Sequence, residues 1–131
     1  MKNWTFTEFE TQIAAEVAAF LPARLFDLHA HLYRTADMTV PADHHFAAGP
    51  AEVTAPVWRE HLGRQVGVSR LVGALFIPVP FTPPAEIARV NDFVFAQAAA
   101  APGSKALAVI APETAPDLVA QWLEHPPFAG F

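Results

Sequence analysis

Short apolar runs, separated by helix-patterned stretches at near-regular spacing, most restrict what this chain can fold into. Residues 24–32 form the first run, in which Leu25, Phe26 and Leu28 lead into a pair of histidines. Residues 70–79 form the second, residues 105–110 the third, and residues 128–131 open a fourth. Between the first two, residues 55–66 place Val57, Trp58, Leu62 and Val66 on one helical face, and Gly67 ends the pattern. Pro83 and Pro84 open the next helix, where a missing N–H costs nothing. Its apolar side carries Ile87, Val90, Val94 and Phe95, and it runs into the alanines before Pro102 and Gly103. Residues 113–124 give a further helix with Leu118, Val119 and Trp122 expected inside. Ahead of all this, Thr5 and Glu8 have capping-box spacing, and Phe9, Ile13, Val17 and Phe20 recur helically as far as Pro22. Residues 1–22 therefore read as a leading helix packed by that face. The order α, then β-α-β-α-β-α-β, means one α/β domain with a parallel sheet and right-handed crossovers.

Composition supports this and removes several functions. Hydrophobic residues make up 53% of the 131. Parallel strands covered on both faces account for that, as does a surface meant to be buried against another segment. The net charge of −5, without any cluster of Lys or Arg, excludes a nucleic-acid partner, which needs a basic stripe to neutralise phosphates. With no cysteine, neither disulfides nor thiolate metal sites can form, so a transition metal must be held by His, Asp or Glu. The first ten residues carry acids and lack the apolar core of a secretion signal. The longest apolar stretch, residues 71–81, contains Pro78 and Pro80 and is too short to span a bilayer. A cytoplasmic protein without a membrane partner is expected.

The residues that bear chemistry gather on the first strand. Asp27, His29 and His31 stand at i, i+2 and i+4, which on a regular strand places all three on one face, roughly 6–7 Å apart per step. Two imidazoles so spaced can converge on one divalent ion at about 2.0–2.1 Å each, which suits zinc. They end the strand, where parallel α/β folds carry their sites. Asp27 has two readings: it orients an imidazole N–H from behind, or it is a buried acid paired elsewhere. Residues 33–54, with Pro41, Gly49 and Pro50, show no periodicity and read as a long loop of the kind that often borders a site. Within or beside it, Arg34, His44 and His45 are candidates for touching substrate. The plainer alternatives are a loop salt bridge for Arg34 and solvated histidines for the other two. Phe76 can form an apolar wall of the pocket or belong to an ordinary buried strand end. His61 is expected on the surface, and His125 at a helix C-terminus beside the last carbonyls. No phosphate-binding glycine loop, serine elbow or cysteine nucleophile is present.

The stretch Phe26-Asp27-Leu28-His29-Ala30-His31-Leu32 resembles the first-strand motif of the amidohydrolase superfamily. Further segments follow, in order and spacing, the amidohydrolase-related branch that includes zinc decarboxylases and lactone hydrolases. They are Gly67-Val68-Ser69-Arg70-Leu71-Val72, Pro78-Val79-Pro80, Val90-Asn91-Asp92, Ala101-Pro102-Gly103 and residues 106–112. The resemblance runs from about residue 24 to residue 131. It implies a (β/α)₈ TIM barrel with one or two divalent metals, His29 and His31 being the first two ligands. A full barrel takes roughly 250 residues, so residues 1–131 are expected to supply strands one to three and the start of four, as the N-terminal part of one barrel domain. The remaining ligands and the catalytic acid/base are implied on later strands, with no catalytic residue in this chain and no activity for it alone. The implied activity is metal-dependent hydrolysis of a small carboxylate, lactone or amide. Its alternatives are zinc-dependent non-oxidative decarboxylation, or a non-catalytic half-barrel that binds a partner chain. The expected partners are a small-molecule substrate and either a C-terminal half or a second copy. The polymerase-and-histidinol-phosphatase type of metal domain also opens on a His-x-His strand. It wants further histidine and acid motifs near the second strand, and residues 71–79 have none.

Overall fold

The alternation becomes a four-stranded parallel sheet with helices in the computed structural model, which describes residues 5–41, 43–79 and 83–131. In chain order the elements are α1 (Glu8–Ala18), β1 (Leu25–His31), β2 (Tyr33–Arg34), α2 (His45–Ala48), β3 (Glu52–Val53), α3 (Ala55–Val66), β4 (Leu71–Ile77), α4 (Ile87–Ala100), β5 (Lys105–Leu107), α5 (Pro116–Leu123) and β6 (Phe128–Gly130). The main sheet runs β1-β4-β5-β6, so strand order follows chain order. Register partners share a face, and Phe76 of β4 stands opposite Ala106 of β5. Ala74, Phe76 and Ala106 form one core cluster with Trp58 of α3, Val94, Phe95 and Ala98 of α4, and Trp122 of α5. The three helices therefore cover the same side of the sheet. Phe76 is wholly enclosed there, edge-on to Trp58 with ring centroids 5.2 Å apart. It is a core residue, not the pocket wall considered above.

Four features depart from the sequence reading. The capping box of α1 is Thr7 with Glu10, two residues later than the spacing of Thr5 and Glu8 suggested. The helix also turns its large apolar side outward: Phe9 is 68% and Ile13 42% exposed, and no residue of α1 is buried. Its alanine side faces α3 instead, where Thr11, Ala14, Ala15 and Ala18 border a groove with Gln65 and Val66. Arg70 reaches back to the carbonyls of Ala18, Leu21 and Pro22 and so satisfies the end of that segment.

The long loop is organised rather than open. β2 and β3 pair antiparallel, Tyr33 with Val53 and Arg34 with Glu52, and thus close the base of residues 35–51. Elements of two to four residues are too short to show a period, which is why none was legible. Asp37, only 3% exposed, anchors the loop through Arg34 (2.6 Å) and through Arg89 of α4 (3.0 Å). The third strand stops at Leu107 rather than at residue 110. Buried Asn91 of α4 donates to the Val109 carbonyl and accepts from the Val109 N–H, both at 2.9 Å, and so takes the place of a neighbouring strand.

Candidate metal centre

β1 does not alternate evenly, and this decides where its side chains go. Asp27 pairs with Ala74 and Ala30 with Phe76, so three steps on β1 oppose two on β4. This is a β-bulge around Leu28 and His29. Asp27 and Ala30 thus stand on the same side as Ala74 and Phe76, toward the helices, although three residues separate them. His31 pairs with Ile77 and faces the opposite side, away from α3, α4 and α5 and helix-free among the described residues. The expectation that Asp27 shares a face with His29 and His31 is corrected: one inserted residue inverts the parity. Asp27 works from behind the strand, its Oδ1 accepting from the His29 backbone N–H at 3.0 Å and its Oδ2 from the Trp58 indole N–H at 2.9 Å.

The two histidines do converge. Their Nε2 atoms lie 3.0 Å apart, with the rings edge to face at 4.8 Å between centroids. His31 Nδ1 lies 3.0 Å from the carbonyl oxygen of Ile77, the last residue of the adjacent strand. A carbonyl oxygen only accepts, so in neutral His31 the proton sits on Nδ1 and the Nε2 lone pair is left for a ligand or a donor. The Ile77 carbonyl thus does what an orienting carboxylate was expected to do. His29 is exposed, and its own proton can move to Nδ1 in contact with water. Two nitrogens each about 2.0–2.1 Å from a tetrahedral zinc are separated by about 3.4 Å. The pair needs to open by only a few tenths of an ångström, so the residues fit two positions of such an ion. Among the described residues no group of three or more His, Asp or Glu is placed to hold a metal.

The other candidates lie elsewhere. Arg34 is engaged with Asp37, and its guanidinium lies over the Phe93 ring at 4.5 Å, which is the salt-bridge reading. His44 caps α2, its Nδ1 accepting from the Phe46 N–H at 3.3 Å. The side chain of His45 lies outside the described residues. His61 is partly buried. The ring of His125 stacks on Phe95 at 4.7 Å instead of meeting the last carbonyls of α5, and its buried Nδ1 has no hydrogen-bond partner among the described residues. Sequence reasoning missed two contributors to the site. Trp58, 31 residues from Asp27, carried only a core signal, and a main-chain oxygen such as that of Ile77 carries none.

No family model, no curated protein and no solved structure matches the chain. Among the described residues no helix is long and apolar enough to cross a membrane.

Proposed function

We propose that this chain supplies the first metal ligands of a metal-dependent hydrolase of the amidohydrolase-related type, acting on a small carboxylate, lactone or amide. The observation that carries the reading is the approach of the His29 and His31 Nε2 atoms to 3.0 Å at the end of β1, with His31 tied from behind by the Ile77 carbonyl. Nitrogen donors in a chain without cysteine favour zinc. The winding supports the barrel part of the reading. Strands that follow chain order with α3, α4 and α5 on one side are wound as in a (β/α)₈ barrel, whereas a doubly wound sheet reverses its order and covers both sides. On this reading β1, β4, β5 and β6 are strands one to four, and the outer edges of β1 and β6 are covered by further strands or by a second copy.

On this reading His29 and His31 would hold the ion, and the Ile77 carbonyl would keep His31 in the tautomer that can do so. Bound there, a divalent ion supplies polarisation of a substrate carbonyl and a water of lowered pKa. No side chain of this chain is assigned the proton transfer, which the resemblance puts on later strands. Zinc-dependent decarboxylation would use the same pair.

Zinc titration of the chain, followed through the histidine ring resonances, tests the reading. Weak saturable uptake is expected, since two imidazoles leave a tetrahedral ion half-liganded. Both Nε2 signals should move together, and His29→Ala or His31→Ala should each abolish the effect. Uptake that survives either substitution, or no uptake at all, would refute it.

A further inference from the structure

We infer that Asp27 and Trp58 form a positioning pair that holds the β1 bulge and thereby turns His29 and His31 onto the helix-free face; as a statement about metal affinity, this rests on the reading above. The bulge withdraws residues 28 and 29 from the ladder with β4. It leaves the His29 N–H without a ladder partner on β4. Asp27 Oδ1 satisfies it at 3.0 Å, two residues back along the same strand. That bond alone would leave the carboxylate free to swing. Its second oxygen is fixed by the Trp58 indole N–H at 2.9 Å, and the indole is itself held edge-on against Phe76. The link therefore runs from the core, through Trp58 and Asp27, to the backbone of His29.

The alternative geometry shows what the pair prevents. Were β1 to continue regularly from the pairing of Asp27 with Ala74, His29 would stand opposite Phe76. Both histidines would then point toward α3 and α4, with Asp27 beside them. Both groups facing Asp27 are donors, so the site calls for two acceptor oxygens. Asparagine offers one oxygen and an NH₂, which must confront one of the two donors. Asp27→Asn is therefore a same-sized change that breaks the link, and Trp58→Phe breaks it from the other end while keeping an aromatic ring.

The test compares the chain with Asp27→Asn, Trp58→Phe and Val94→Ala, the last a core change in α4 that touches neither hydrogen bond of Asp27. Four quantities are read for each: zinc affinity, the ring-to-ring nuclear Overhauser contact of His29 with His31 in metal-free protein, the amide exchange rate of His29, and the melting temperature. Loss of an orienting partner typically weakens metal binding by roughly tenfold to a hundredfold. That loss is expected for Asp27→Asn and Trp58→Phe, together with loss of the ring contact and faster amide exchange at His29. Val94→Ala should lower the melting temperature with affinity and ring contact kept. If the two variants keep both affinity and ring contact, or lose affinity only as Val94→Ala does, the positioning role is overturned while the metal reading stands. If the parent chain takes up no zinc, the metal reading falls. The ring contact then decides alone: its persistence in Asp27→Asn overturns the inference, and its loss upholds it.

Discussion

Gly103→Ala should be among the most damaging single-methyl additions in this protein, and its size can be worked from two separate causes. Gly103 has φ +78°, where a residue with a Cβ is strained by about 1–2 kcal/mol. A Cβ built there would also fall inside contact distance of the Val72 carbonyl oxygen, a main-chain atom that cannot rotate away. Relieving such an overlap by backbone shifts costs typically about 1–3 kcal/mol, so the two together come to about 2–5 kcal/mol. At about 2.1 cal/mol/K of unfolding entropy per residue, 131 residues carry roughly 0.28 kcal/mol/K, which turns this into a fall of about 7–18 °C in melting temperature. Gly67→Ala provides the comparison. Its φ is +90°, but its added Cβ would meet nothing closer than Arg70 side-chain atoms at 3.6 Å. It should incur only the conformational part, about 4–7 °C on the same scale. Thermal melts followed by circular dichroism at 222 nm are the assay. Equal shifts for the two variants would refute the reasoning, since the overlap with Val72 would then contribute nothing.

Two further outcomes are expected. Asp37→Asn should loosen the long loop, because Arg34 and Arg89 would face an amide in place of a buried carboxylate. Removing one partner of a buried pair costs about 3–5 kcal/mol, but the guanidiniums are 35% and 53% exposed and solvent screens them, so about 1–3 kcal/mol is expected. Urea unfolding and protease nicking within residues 38–51 check this, and parental values in both would defeat it. Glu10 is held below its ordinary 4.5, first by the Thr7 backbone N–H and then by the Thr7 hydroxyl. Its folded pKa is depressed, so the stability it lends α1 is present above pH 4.5 and is lost as pH falls through the lower folded value. In Thr7→Ala the Glu10 carboxyl titration, followed by ¹³C NMR, should rise only part of the way to 4.5, and a full return would show that the backbone bond is not the larger cause.

The strand-and-helix order was legible because the helices are long enough to show their period, and all four strands of the main sheet lie in apolar runs between them. The apolar spacing of residues 55–66 predicts a helix, and α3 spans Ala55–Val66. What failed was information that no local pattern contains. The apolar spacing of Phe9, Ile13, Val17 and Phe20 announced a helix correctly, but not which side it would bury, since that depended on Ala14 and Ala18 fitting beside α3. The approach of His29 and His31 accords with their i, i+2 spacing and their place at the end of the first apolar strand. The parity error at Asp27 came from one inserted residue in the register with β4, set by bonds to a tryptophan 31 residues away. The end of β5 was misjudged because residues 108–110 remain apolar while Asn91, on another element, takes the hydrogen bonds of Val109.

The attachment of α1 has a consequence for how the molecule comes apart. The helix buries no residue of its own, and its far end is gathered by one guanidinium, that of Arg70, onto three main-chain oxygens. The core cluster contains no α1 side chain. Letting α1 go exposes little apolar area, so the unit opens at a lower free energy than the sheet and its covering helices, a sub-global step distinct from global unfolding. Hydrogen exchange would resolve the chain into two tiers: amides of residues 11–18 that trade with solvent early and with little denaturant dependence, and those of β4 and α4 that wait for the whole domain. The leading helix is thereby expected to exchange as a unit of its own, tied at its C-terminal end by Arg70.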